Sequence, residues 1–206
     1  MRLAPLTLAA LVLFVATACG GGQENAHHHA ATLTVSGGTG AFAGGELSPP
    51  RATPDFTLRD QSGQEVSMAG QRGKFVLLTF LYTHCPDVCP LITQNLNEGL
   101  RMLGPEREDV RVLAVSVDPK GDTPKSVRAY AKQHHLLPEF YYLTGSRAEL
   151  TEVWRKYDVA AVASDPELVD HTAYTMLVDP SGKGRVIYDA SVKAADVVHD
   201  IRALSS

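Results

Sequence analysis

Hydrophobic and polar positions along the chain change their spacing from block to block. Residues 3–18 are apolar except for Thr7 and Thr17. Residues 20–29 are Gly-rich and polar and read as a flexible tether. Residues 32–36 alternate briefly, enough for a short strand, and 37–45 are again glycine-rich and expected to be loose. Phe56-Thr57-Leu58 and Glu65-Val66-Ser67 flank a turn at 60–63 and predict a hairpin. Residues 75–82 form a nearly continuous apolar run, the mark of a buried parallel strand. Ile92, Leu96, Leu100 and Leu103 then fall on one helical face. A second buried strand is predicted at 110–117 and a helix at 123–133, with Thr123 as N-cap and Pro124 as first helical residue. A short strand follows at 140–143, then a helix at 147–157 with Ser146 and Glu149 spaced as a capping box. Residues 158–171 have no period and read as the longest loop; 174–178 and 184–188 flank a turn as a second hairpin, and 194–204 closes the chain as a helix.

A hairpin, three strand–helix units, a second hairpin and a final helix give an α/β fold. Its central mixed sheet is flanked by helices on both faces. That is the thioredoxin-like arrangement with an N-terminal β-hairpin extension. Three segments are expected: a signal over 1–18, a tether over 19–46 and the domain over 47–206.

The first apolar block, at 16 residues, is shorter than the ~20 a membrane-spanning helix needs. Arg2 ahead of it and small residues after it describe a secretory signal. Ala16-Thr17-Ala18 directly before Cys19 is similar to a bacterial lipobox, with Ala16 where leucine is usual. Cys19 is therefore expected to carry lipid and anchor the domain at the outer face of the cytoplasmic membrane, where disulfides can form. A net charge of −4 with no basic stripe disfavours nucleic acid as a partner.

Two of the three cysteines lie in Thr83-His84-Cys85-Pro86-Asp87-Val88-Cys89-Pro90, directly after the first buried strand. Pro90 lacks an amide hydrogen, so the helix is expected to start at about Cys89, with 85–88 as a turn. The helix N-terminus favours a thiolate. Cys85 and Cys89 could share a metal ion or close a small disulfide loop. A bridge that short constrains little loop entropy, so the pair suits chemistry better than stapling. Spacing alone does not separate redox from metal binding.

Two sulfurs leave a soft ion under-coordinated. The candidates for a third ligand are His84, His134, His135, His171, His199 and Met176. His171 is preferred, because it leads into the strand whose start should lie beside the cysteine turn. His84 is expected to point elsewhere, His134 and His135 to be solvated, and Met176 and Trp154 to be core. His27, His28 and His29 lie in the tether. Two thiolates and an imidazole suit Cu(I), with Cu(II) possible if water or a carboxylate such as Asp87 completes the set. A structural zinc site would want a fourth protein ligand. Metal binding requires the thiols reduced, so outside the cytoplasm a reducing partner is needed.

The chain resembles the SCO/SenC family of copper chaperones. The resemblance runs through Pro54-Asp55-Phe56-Thr57-Leu58, the cysteine octet, Ser116-Val117-Asp118-Pro119, Asp122-Thr123-Pro124 and Asp170-His171-Thr172. It implies a thioredoxin-like fold, with Cys85, Cys89 and His171 as copper ligands. It also implies copper delivery to the CuA centre of cytochrome c oxidase subunit II, or reduction of that centre's cysteines. In the second role Cys85 and Cys89 are a redox-active dithiol that forms the Cys85–Cys89 disulfide. An extracytoplasmic thiol reductant or copper donor is implied as a further partner. Thioredoxins place a proline before the strand at 174–178, where this chain has Tyr174, which speaks against a general oxidoreductase. A peroxidase is disfavoured because Tyr82 stands three before Cys85, where Thr or Ser is expected.

Overall fold

A computed structural model describes residues 34–36, 40–163 and 169–206. These belong to one compact unit, Leu33–Ser206. The signal at 1–18, Cys19 and His27, His28 and His29 lie outside the described residues.

In chain order the elements are β1 (Thr34–Ser36), β2 (Gly45–Ala52), β3 (Thr57–Arg59), β4 (Glu65–Ser67) and β5 (Phe75–Leu81). Then come α1 (Val88–Leu103), β6 (Val110–Ser116), α2 (Pro124–Gln133), β7 (Phe140–Leu143) and α3 (Arg147–Lys156). The last are β8 (Ala161–Ala163), β9 (Val169–His171), β10 (Thr175–Val178), β11 (Lys183–Tyr188) and α4 (Ala194–Ser205).

The central sheet runs β1-β2-β11-β10-β5-β6-β7. β5, β6 and β7 are parallel and the other pairs antiparallel. β5 is buried at every position and β6 at all but one, so both faces of the sheet are covered there. The crossovers β5-α1-β6 and β6-α2-β7 step in the same direction, and right-handed crossovers then place α1 and α2 on one face. Thr93 and the Tyr130 hydroxyl join these two helices at 2.8 Å, and α4 packs against α1. Ile92, Leu96, Leu100 and Leu103 are the buried face of α1, as their spacing predicts. This is the expected thioredoxin-like fold.

Local chemistry also matches expectation at the caps. Thr123 accepts from the Ser126 amide at the start of α2, and Ser146 with Glu149 forms a reciprocal capping box on α3. The β3–β4 hairpin is a separate two-stranded sheet. It is tied to the end of β7 by paired backbone bonds between Arg59 and Thr144.

Two segments differ from the sequence expectation. β2 begins at Gly45 and contains Pro49 and Pro50, a stretch that carries no strand signal. β11 pairs with Gly45 and Glu46 and again with Arg51 and Ala52, and the register shift between them leaves both prolines off the ladder. The stretch 158–171 is not a continuous loop: β8 and β9 pair antiparallel, with Ala161 opposite His171. Three-residue strands are too short to show a period of two. α1 starts at Val88, in keeping with a start at about Cys89.

Candidate metal centre

The site is built where β5 gives way to α1. After Leu81 the chain turns, with the Cys85 amide donating to the Tyr82 carbonyl at 3.3 Å. Asp87 precedes the helix but its side chain does not cap it. Instead the amides of Asp87 and Cys89 reach the Cys85 sulfur, so donors left unpaired at the helix start serve a thiolate. Cys85 is half-buried in the turn, while Cys89 is fully buried in the first turn of α1. Neither is in a disulfide.

The two sulfurs are unequal. The Cys89 thiol donates to Cys85 and, despite the cost of burial, this bond with the two amides and the Tyr82 hydroxyl lowers the Cys85 pKa to about 5. Acting as that donor, and then burial, push Cys89 far up. The proton is therefore held on the Cys89 side of the pair, and Cys85 is biased toward the thiolate. Tyr82 is pushed up to about 12, first by burial and then by the Cys85 charge, so it stays a donor.

His171 arrives at the end of β9. Its Nε2 lies 3.9 Å from the Cys89 sulfur, and its ring stands edge-on to Tyr82 with centroids 5.9 Å apart. Nδ1 lies 3.3 Å from the Thr172 carbonyl. Assigned as the donor in that contact, Nδ1 leaves the Nε2 lone pair facing the sulfur. Metal-binding histidines are oriented this way, with the far ring nitrogen donating to a backbone carbonyl. Sulfur and nitrogen ligands of one ion stand about 3.5–3.7 Å apart, from bond lengths of about 2.3 and 2.0 Å; the observed pair is slightly wider. Among the described residues, no three His, Cys, Asp or Glu side chains already converge as a closed set of ligands. The donors are neighbours that an ion would draw in.

The other candidates stand elsewhere. His84 is exposed, with Nδ1 3.1 Å from the Thr83 hydroxyl. His134 lies against the Tyr130 ring at 4.1 Å, and burial lowers its pKa. His199 pairs with the buried Asp200 carboxylate on α4. Asp87 is exposed. Met176 and Trp154 are core, the indole donating to the Ser116 carbonyl.

Two residues at the site were not singled out from sequence as site residues. Tyr82 looked like the end of a strand, yet its hydroxyl serves Cys85. Asp122 enters the sequence reading only within the motif Asp122-Thr123-Pro124, yet it is buried and bonds to Thr83, Ser116 and Tyr142. Its pKa is raised by burial, against the pull of those bonds. A carboxylate two residues ahead of Pro124 carried no signal of this role.

Comparison with known proteins gives a consistent picture. A family model described as SCO1/SenC matches residues 45–206. The chain is 33% identical to an SCO2-like protein of Rickettsia conorii over 63% of its length, and spans 65% of that relative. It is 36% identical to apo Sco1 of Thermus thermophilus, covering 84% of this chain and 99% of that one, with a TM-score of 0.68. Copper-bound ScoI of Bradyrhizobium japonicum is 32% identical over 74% of this chain and 99% of its own, with a TM-score of 0.66.

Proposed function

The chain belongs to the SCO1/SenC family, and from that premise we propose that it is a copper metallochaperone. In this reading it works outside the cytoplasm, tethered through lipid on Cys19. It holds Cu(I) between Cys85, Cys89 and His171 and passes it to the CuA centre of cytochrome c oxidase subunit II. The observation that carries the reading is the approach of His171 Nε2 to the Cys89 sulfur at 3.9 Å. These residues lie 82 apart in sequence, and the ring's other nitrogen is occupied by a backbone carbonyl. The copper-bound relative supports the same cargo. Two thiolates and a neutral imidazole form a soft donor set that selects Cu(I). Cys85 supplies a ready thiolate. Cys89 releases its proton when the ion arrives, so loading is coupled to proton release.

A second reading, a thiol–disulfide oxidoreductase acting on the CuA cysteines, is favoured by the inequality of the two sulfurs. The half-exposed Cys85 thiolate attacks one sulfur of a target disulfide and displaces the other as a thiolate. Cys89 passes its proton to the displaced target thiolate and attacks the Cys85 sulfur, forming the Cys85–Cys89 disulfide and releasing the second target sulfur as a thiolate that takes a proton from solvent. Two electrons pass to the target, and an extracytoplasmic reductant restores the pair.

The two readings separate at His171. Anaerobic Cu(I) titration of the reduced protein is expected to show one equivalent bound by wild type. His171→Ala is expected to bind at least about tenfold more weakly, while it still reduces a small disulfide substrate. Cys85→Ser is expected to lose both activities. Undiminished copper binding by His171→Ala would overturn the ligand assignment.

A further inference from the structure

Asp122 is 4% exposed, and its four side-chain bonds are divided evenly between its two oxygens. Oδ1 accepts from the Thr83 amide at 2.8 Å and the Thr83 hydroxyl at 2.7 Å. Oδ2 accepts from the Ser116 hydroxyl at 2.5 Å and the Tyr142 hydroxyl at 3.0 Å. None of these partners is cationic. A buried carboxylate without a cation is costly and persists only when neighbouring donors satisfy it fully.

The two halves of this arrangement belong to different parts of the molecule. Ser116 ends β6 and Tyr142 lies within β7, so the Oδ2 side is fixed to the rigid parallel sheet. Thr83 lies in the turn between β5 and α1, two residues before Cys85. That turn has few backbone-to-backbone bonds of its own. Pro86 contributes no amide hydrogen, and the Cys85-to-Tyr82 bond is long at 3.3 Å. Fixed at Oδ2, the carboxylate cannot rotate away from Thr83 at Oδ1. Only a carboxylate offers acceptors on both sides, because an amide would turn an N–H₂ toward one pair of donors.

We propose that Asp122 is the positioning residue of the dithiol turn, holding Thr83 so that the Cys85 sulfur stands within reach of an ion shared with Cys89 and His171. The proposal deepens the copper-binding reading and rests on it. Outer partners that orient ligands typically change metal affinity by about 10–100-fold when removed, and the same size is expected here.

The test compares Asp122→Asn, Thr83→Val, Thr83→Ser and Tyr142→Phe with wild type in the full domain. Three quantities are read: the Cu(I) dissociation constant by anaerobic competition with a chromophoric chelator, the thiolate-to-Cu(II) charge-transfer band, and Tm. Asp122→Asn and Thr83→Val are expected to weaken Cu(I) binding by about tenfold or more and to shift the band. Thr83→Ser should restore both. Tyr142→Phe leaves Ser116 on Oδ2 and both Thr83 bonds on Oδ1, so it should lower Tm while weakening affinity less than Thr83→Val does. If Asp122→Asn does not fold, the Thr83 pair decides. Wild-type affinity and band in Thr83→Val would overturn the proposal, as would a loss in Tyr142→Phe equal to that in Thr83→Val, which would make Asp122 merely structural. If wild type itself binds no copper, the functional reading falls and takes this one with it. If wild type binds and His171→Ala is impaired while Thr83→Val is not, only this proposal falls.

Discussion

Cys85 and Cys89 stand four residues apart yet occupy opposite electrostatic situations. Cys85 receives the Cys89 thiol, two amides and the Tyr82 hydroxyl, which hold its pKa near 5 against an ordinary value of 9.0. A pKa depressed on folding adds stability that is present above the ordinary value and is lost as pH falls through the folded one. Half-exposure keeps that contribution small, so reactivity is the better readout. In the reduced, metal-free protein, alkylation of Cys85 is expected to stay fast from pH 8 down to about 6 and to fall with a midpoint near 5. A midpoint near 9 would contradict the geometry. Because the Cys89 thiol is the largest cause, Cys89→Ala is expected to move the Cys85 midpoint up toward the ordinary thiol value in the same assay. At this scale the sequence was informative where chemistry is carried by rare residue types. The cysteine octet stood out, and His171 followed from the strand it precedes. Tyr82 and Asp122 did not, because their roles depend on which buried donors and acceptors the fold brings to them.

Helices and strands differ in how much of themselves they write into the chain. α1 shows its period over 16 residues, and β5 is apolar throughout because both its faces are covered. β8 and β9 span three residues each and are held by pairing with one another, so neither leaves a periodic trace. That hairpin is nonetheless what carries His171, and it is secured at its base by the Thr172 amide donating to the Ala160 carbonyl at 3.1 Å. β2 hides behind Pro49 and Pro50, which it accommodates at a register shift. The capping box of α3 was legible because its two partners are fixed in spacing. Ser146→Ala is expected to lower unfolding free energy by about 1 kcal/mol in urea titrations, leaving Cu(I) affinity unchanged, since α3 lends the site no ligand. An affinity loss in that variant would show that α3 bears on the metal centre.

For the whole domain, the sheet is the frame that positions the candidate site. Its centre, β5, delivers the cysteine turn, and β10 begins four residues beyond His171. On one side β2 covers β11 and contributes the buried Leu47. Removing residues 1–32 is expected to leave cooperative unfolding and copper binding intact, because the described sheet begins with β1. Removing residues 1–52 exposes the edge of β11 and strips Leu47 from the core, and is expected to abolish the cooperative transition by circular dichroism. Equal Tm in the two truncations would show that β2 is dispensable.

The central claim, that one nitrogen and two sulfurs from distant parts of the chain converge on a single cuprous ion, is tested most directly by copper K-edge absorption fine structure. The reduced protein loaded with one equivalent of Cu(I) is expected to give a shell of two sulfurs and one imidazole nitrogen. In His171→Ala the nitrogen should be missing and the sulfurs unchanged. An identical shell in both proteins would contradict the account.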